Sequence, residues 1–578
     1  MTKKSNSTTC AQYMADALVQ VGTTHVFFME AVLRETLIEL QKRGVERVLA
    51  HSEAAAAHMA DGYARITGRI GTCMAQSVGA ANLAAGLQDA YLHRAPVLAM
   101  TGRKPEIFQQ RNAYQEVAHG PLFETVTKYS AYASTPEELP LFFSQALRNA
   151  KANSPRPVHI DLHGHCAQFI EPCEFDAPAL PPKQLASPLS LIPSAHPAQI
   201  EDAAIAIAGA KRPVLVVGTG LVQVDGRDAL CAFAEALKIP IATSMGGHGI
   251  VPTSHPLHIG VAGTYSPPPT NELVCEADLV IFVGCHAGDQ VTLDWKVPAQ
   301  NANVVQIDAD ADEIGRNYPQ AVGVHGDPAL ALEALHQACA TQPARTEWAS
   351  HCQEYFSRWR SSMEDLLGSD AVPIRPDRVC KEVSNALPEN AILVADTGYS
   401  GIWTGTLIDL PHENQTYMRA AGTLGWAFPA AIGVKCGAPD RPVVVFTGDG
   451  GFYYHLAELE TLRRRNLPVV TVVNNNSAFG QCVTELESKI GDTRGHLDDL
   501  LRFGPCNFAE IAESFGVMGI RVEHPDEIGP ALQRAIAANK PVVVDVVTDE
   551  QALAPIAWAP PIKSAEKPRE SKVSELSH

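Results

Sequence analysis

Residues 447–480 read TGDGGFYYHLAELETLRRRNLPVVTVVNNNSAFG. The residues just before them, Pro442 to Phe446, form a short β-branched apolar run that predicts a buried strand. Gly448-Asp449-Gly450-Gly451 breaks that strand. Leu456, Leu459 and Leu462 then recur at helical spacing with charged residues between them. Leu467 to Val473 predicts a second buried strand, which ends in Asn474-Asn475-Asn476. The unit is therefore strand, glycine turn, helix, strand and a cluster of amides. Its glycines let backbone N–H groups approach phosphate oxygens, and the helix start adds favourable partial charge. In a parallel sheet Asp449 and Asn476 would lie on the same edge, where one Mg²⁺ could bridge both to a diphosphate. The competing interpretation is an ordinary strand-turn-helix with a solvated Asp. The pairing of these features within one βαβ unit weighs against it.

The same alternation of strand and helix runs through the rest of the chain. Strands are expected at His25 to Phe28, Arg47 to His51, Gly71 to Ala75 and Ala95 to Gly102. Helices are expected at Cys10 to Val21, Val32 to Leu40, Ala54 to Thr67 and Ala80 to Tyr91. Such βα repetition implies an α/β protein built from doubly wound parallel sheets. A length of 578 residues is too great for one core. A Pro-, Ala- and Ser-rich stretch at 172–197 reads as a linker. A second linker lies near 341–376, with a helix at 350–367 whose Trp348, Tyr355, Phe356 and Trp359 would cover a domain seam. The expected domains are 1–172, 190–340 and 373–555, with a loose tail at 556–578. Residues 481–504 are polar and without a clean period, so they read as a flap.

Composition limits the partners. A net charge of −19 argues against a nucleic acid or an anionic membrane. Thirteen scattered Cys without a CxxC pair indicate neither a disulfide framework nor a zinc site. No run approaches the roughly 20 apolar residues of a membrane span, and the first residues do not read as a signal peptide, so a cytoplasmic location is expected.

The segment from Gly448 to Asn476 resembles the thiamine diphosphate (ThDP) motif, GDG followed some two dozen residues later by NN. HSEAAAAHMADGYARITGR (51–69) with QSVGAANLAAGLQDAY (76–91) is similar to the pyrimidine domain of the acetolactate synthase and benzoylformate decarboxylase family. The resemblance covers about residues 10 to 550. It implies three domains, pyrimidine-binding, central and diphosphate-binding, and a 2-oxo acid substrate. It makes Asp449, Asn476 and the Ala478 carbonyl the metal ligands, with Phe479-Gly480 aligning so as to choose Asn476 over Asn475. Gly448, Gly450, Gly451, Asp396, Thr397, Gly398 and Thr423 then surround the cofactor, and Leu424 is the apolar wedge that bends it. Glu53 falls on the glutamate that hydrogen-bonds N1′ of the aminopyrimidine, promoting the tautomer that makes the C2 ylid. Without the resemblance, Glu53 could equally cap its helix. Gln76, Ser77 and Gln115 fall on the substrate side.

This chain also departs from the family. Glu30-Ala31 replaces the usual Pro-Gly, Val32 stands where several decarboxylases carry a catalytic Asp or Ser, and QSVGAAN differs from SGPGATN. In the string GCHAGDQ (284–290) both flavin-holding arginine positions of acetolactate synthases are lost, so FAD binding is doubtful. The family places Glu53 and Asp449 of each site in different subunits, which implies a homodimer or homotetramer. The expected activity is acetolactate-synthase-like carboligation through an enamine, ahead of plain 2-oxo acid decarboxylation. A non-catalytic cofactor-binding homologue is a third reading.

Overall fold

A computed structural model describes residues 7–186, 191–495 and 497–561. Three six-stranded sheets, parallel throughout, account for the three domains. In the first, strands His25–Phe28, Glu46–Leu49, Gly71–Gln76, Val97–Arg103, Tyr129–Ala133 and Val158–His163 take the order 2-1-3-4-6-5. In the third, strands Ile392–Ala395, Thr416–Arg419, Val443–Gly448, Val469–Asn475, Met518–Val522 and Val542–Val547 take the same order. The middle sheet runs 3-2-1-4-5-6, the order of a dinucleotide fold. The central strands Pro213–Val217, Leu279–Val283, Val304–Asp308, Val443–Gly448, Val469–Asn475 and Val542–Val547 are rich in β-branched apolar residues and almost wholly buried, as parallel sheets require.

The first and third domains dock through equivalent helices, each lying between strands 2 and 3 of its own sheet: Glu53–Thr67 and Ala427–Gly437. The contact is made of small residues. A Cβ on Gly62 would stand 2.2 Å from the Ala430 carbonyl, and one on Gly433 would stand 1.8 Å from the Met59 carbonyl. The pairs 59/62 and 430/433 therefore meet as if related by a two-fold axis. The alanines of HSEAAAAHMA are buried for this reason, with Ala55, Ala56 and Ala57 fully covered.

Several local expectations change. Residues 481–504 are not an irregular flap: Gly480–Ile490 is a helix, and Arg502 holds it by pairing with Glu487 (3.1 Å) and Glu550 (2.6 Å). The first linker is partly ordered, because Glu174–Asp176 pairs antiparallel with Ser7–Thr9. The helix expected at 80–91 breaks at Leu87 into Gly79–Gly86 and Gln88–Leu92. The helix expected at 350–367 is Thr346–Ser362 followed by Glu364–Leu367. It does bridge domains, since Trp348 donates to the Pro213 carbonyl (2.9 Å) while Trp359 packs on the third-domain core. Most of the expected tail, 562–578, lies outside the described residues. Among the described residues no helix is long and apolar enough to cross a membrane.

Because both obstacles to a Gly433 side chain are backbone, Gly433→Ala should lower unfolding free energy by about 3 kcal/mol, the upper range for overpacking. Urea denaturation checks this; an unchanged midpoint would mean that the helices separate easily.

Candidate active site

Strands 1, 3 and 4 of the third sheet deliver three polar groups to its carboxyl edge. Asp396 follows Ala395, whose register partner is Phe446. Asp449 follows Gly448, whose register partner is Asn474. Asn476 follows the end of Val469–Asn475. Asp449 is buried, its Oδ1 accepts the Gly450 N–H (2.7 Å), and its Oδ2 has no hydrogen-bond partner. Burial pushes its carboxyl up to about 7, with backbone N–H groups of Gly450 and 476–478 acting in the opposite direction. A carboxylate oxygen that is buried and unpartnered is what a cation-binding site leaves when read as protein alone.

The asparagines of the triplet do different things. Asn475 is committed to the sheet, donating to Asp545 (2.8 Å) and to the Cys506 carbonyl (3.0 Å). Asn476 is half-buried at the edge, and its Oδ1 takes only the Ala478 N–H (3.2 Å). Ser477, which follows, has φ +57°, a left-handed turn just past the strand end. Gly450 is required by Phe479, since a Cβ there would stand 2.6 Å from that ring. Gly451 is hemmed in by Asp396 and Thr447, each 3.0 Å away from a Cβ.

Asp396 is the knot of this edge. Its Oδ1 accepts from the Thr397 N–H (2.8 Å) and the Gly425 N–H (3.1 Å), and its Oδ2 accepts from Thr447 Oγ1 (3.1 Å). It thereby fixes the 397–398 turn, the 423–425 turn and the GDG strand relative to one another. Burial raises its carboxyl to about 6. Leu424, on the second of these turns, is half-buried and belongs to no hydrophobic core cluster of the described residues. Gly398 and Gly480 flank the same edge, Gly398 beside Gln481 and Gly480 beside Asn476.

Glu53, Gln76 and Gln115 gather instead on the carboxyl edge of the first sheet. The helix at 53 is capped by Ser52, whose Oγ accepts the Ala55 N–H (3.1 Å), so Glu53 is free of that task. Its Oε2 accepts from Asn82 Nδ2 (2.8 Å), and Gly79 leaves room for its Oε1. In the single chain Glu53 is half-buried. Gln76 lies against Cys166, and Ser77 Oγ donates to the Gln115 carbonyl. Val32, by contrast, is fully buried in the first-domain core and does not face the cleft. Among the described residues no hydrogen bond joins Glu53 to residues 447–480.

Three family models match this chain, described as the thiamine pyrophosphate enzyme N-terminal TPP binding domain (residues 8–122), central domain (200–335) and C-terminal TPP binding domain (396–546). The chain belongs to the thiamine pyrophosphate enzyme family. Among curated relatives, a probable acetolactate synthase large subunit of Methanococcus aeolicus is 31% identical over 540 residues, covering 90% of this chain and 87% of that protein. Its counterpart from Methanocaldococcus jannaschii is 33% identical over 525 residues, covering 87% and 85%. A putative thiamine pyrophosphate-containing protein of Bacillus subtilis, YdaP, is 28% identical over 552 residues, covering 93% and 91%.

Two carboxylates that the sequence does not single out hold this family fold's two edges together. Asp89 of the first domain accepts from the N–H groups of Ala421 (2.8 Å), Gly422 (3.4 Å) and Thr423 (3.1 Å) in the third. Arg65 bridges it to Asp61, at 2.8 and 2.6 Å, under the ring of Trp426. Burial opposes the Asp89 charge, but the Arg65 guanidinium and the Ala421 N–H outweigh it and hold the carboxyl below its ordinary range. Reciprocally, Glu458 of the third domain accepts the His51 N–H (2.8 Å) of the first. In sequence Glu458 looks like a solvated helix charge; in the fold it is buried.

The central domain has a cavity of about 380 Å³ where it meets its neighbours, lined by Gly218, Thr219, Gly246, Gly284, His286 and Arg419 among others. Burial lowers His286 to about 3 and His93 well below its ordinary value. Among the described residues on this wall Arg419 is the cation: its Nη1 donates to Gln290 (2.7 Å), while its Nε and Nη2 are buried without a hydrogen-bond partner.

Asp89→Ala strands three backbone N–H groups and leaves Arg65 with Asp61 as its one carboxylate partner among the described residues. It should cost about 3–5 kcal/mol, as for other broken buried pairs. Denaturation read together with amide exchange should localise the loosening to 421–425; protection kept there would rule out the clasp.

Proposed function

We propose that this protein is a ThDP- and Mg²⁺-dependent carboligase acting on 2-oxo acids. The observation that carries this reading is the buried, partnerless Oδ2 of Asp449 beside the Gly448–Gly451 turn and Asn476. The acetolactate synthase names of its relatives supply the substrate class. Asp449, Asn476 and the Ala478 carbonyl would hold the cation, an all-oxygen set that suits Mg²⁺. The N–H groups of the glycine turn would face the diphosphate oxygens. When bound, the cofactor supplies a nucleophilic thiazolium carbon that attacks a carbonyl group.

The chain's own residues prepare that chemistry. Leu424, outside every core cluster, is the apolar side chain available to wedge the cofactor into its bent form. Glu53 would hold a proton at a carboxyl oxygen against the pyrimidine ring, with Asn82 fixing its orientation. Among the described residues no hydrogen bond joins Glu53 to residues 447–480, and we assign it to the site of a second copy; a homodimer or homotetramer is the working assembly. Gln76 and Gln115 orient the substrate. Val32 is buried in the first-domain core at the position where several decarboxylases carry an Asp or Ser, which favours carboligation over plain decarboxylation. No flavin enters this proposal. A cytoplasmic location belongs to the same reading.

Three measurements test it. Pyruvate and a panel of 2-oxo acids with ThDP and Mg²⁺ should yield CO₂ and a 2-hydroxy-2-acyl acid or acyloin; aldehyde alone would select decarboxylation instead. Glu53→Gln should keep cofactor affinity and lose at least about 10²-fold in kcat, the scale of proton-transfer catalysis. Asp449→Asn removes a buried charge, so its cofactor-free melting temperature should not fall. It should nevertheless lose the stabilisation by ThDP and Mg²⁺, about 2.7 kcal/mol at one hundred times Kd. A retained shift would remove Asp449 from the metal site.

A further inference from the structure

Beneath the carboxyl edge of the first sheet lies a buried polar network that the reaction scheme above does not use. Thr101, His159 and Asp161 project from adjacent strands, with Thr101 and Asp161 in register. His119 opens the helix His119–Glu124 and points into them. All four are nearly inaccessible: Thr101 0%, His119 0%, His159 1% and Asp161 3% exposed. The Thr101 hydroxyl donates to Asp161 Oδ1 (2.8 Å) and lies 2.7 Å from His159 Nε2. Ser130 Oγ lies 2.9 Å from His159 Nδ1, and Phe123 stacks on the ring at 3.6 Å. His119, His159 and Asp161 are close enough to share a metal ion. The Thr101 hydroxyl already occupies their centre, so the cluster is a hydrogen-bond network.

Its outlet is His119. Nε2 lies 3.0 Å from the Ser77 carbonyl, which can only accept, so Nε2 carries a proton. Nδ1 lies 3.0 Å from Asp161 Oδ1, and Arg103 stands 3.4 Å from the other oxygen of that carboxylate. Ser77 in turn donates its hydroxyl to the Gln115 carbonyl. Ser77 has φ +30° and Gln115 has φ +59°. Neither is glycine, and such conformations cost about 1–3 kcal/mol each and persist only where the surroundings fix them. The Gln115 amide Nε2 donates to Tyr114 (3.1 Å), while its Oε1 is buried without a hydrogen-bond partner among the described residues.

We infer that His119, backed by Asp161, is a positioning residue that clamps the Gln76-Ser77 turn and the Gln115 loop in the geometry the substrate requires. The inference rests on the proposed 2-oxo acid chemistry for its effect on rate, but the clamp itself is readable without activity. His119→Phe fills the space and removes the hydrogen bond to Ser77 and the polar contact with Asp161; His119→Gln keeps an N–H toward Ser77. In His119→Phe, amide exchange at 76–80 and 112–118 should quicken at least tenfold while exchange in the third domain is unchanged. The kcat for the best 2-oxo acid should fall about 10²-fold, the scale of a small misplacement, with ThDP affinity within about twofold of wild type. His119→Gln should recover at least half of the lost protection and about tenfold of the rate. Should His119→Phe not fold, Ser77→Ala, which cuts only the link to Gln115, should quicken exchange at 112–118 and lower kcat in the same sense. Unchanged exchange at both segments, or a rate loss matched by an equal loss of ThDP affinity, would overturn the inference. If wild-type enzyme turned over no 2-oxo acid, the functional proposal would fail, while the exchange data would still decide the clamp.

Discussion

Asp89 and Glu458 exchange places across the junction between the outer domains. Each sits on the helical segment after the third strand of its own sheet, and each accepts backbone N–H groups from the loop after the second strand of the other. A buried carboxylate is tolerated only where donors replace water, so each domain satisfies a group that the other cannot leave unmet. The loops so held carry Glu53 on one side and Leu424 on the other. The positions of both proposed cofactor-facing side chains therefore depend on interdomain docking as much as on their own sheets.

The small-residue helix contact makes this exchange possible. Gly62 and Gly433 let two backbones approach until their carbonyls would touch any side chain, which brings the second-strand loops within reach of the opposing carboxylates. Larger residues would separate the helices and take from Asp89 and Glu458 the backbone N–H donors of the opposite domain. Packing, polar satisfaction and site geometry are thus one constraint here, expressed through repeated topology.

Much of this was legible in the chain. Parallel strands declare themselves as uninterrupted β-branched runs, and Val443–Gly448 and Val469–Asn475 were visible for that reason. The GDG turn and the amide cluster fall on adjacent strand ends, so their convergence followed from sheet geometry. What could not be read depends on distant partners. Glu458 has the pattern of a solvated helix charge until His51 is placed beside it. Asp89 is one acid in a small-residue helix, and nothing local says that three N–H groups of residues 421–423 await it. His119 has no periodic signature, because its partners lie on two strands and one turn. The segment 481–504 looked irregular since its helix is held by Arg502 rather than by an apolar stripe.

Trp426 lies at the centre of the junction, fully buried, with its indole N–H on Asp61 (2.8 Å) and its ring under the Arg65 guanidinium (4.4 Å). It is one of six tryptophans in the chain. That placement makes it an intrinsic optical gauge of the junction: separation of the outer domains would strip away both its hydrogen bond and its cation, and emission would shift toward that of a hydrated indole before either sheet had begun to melt.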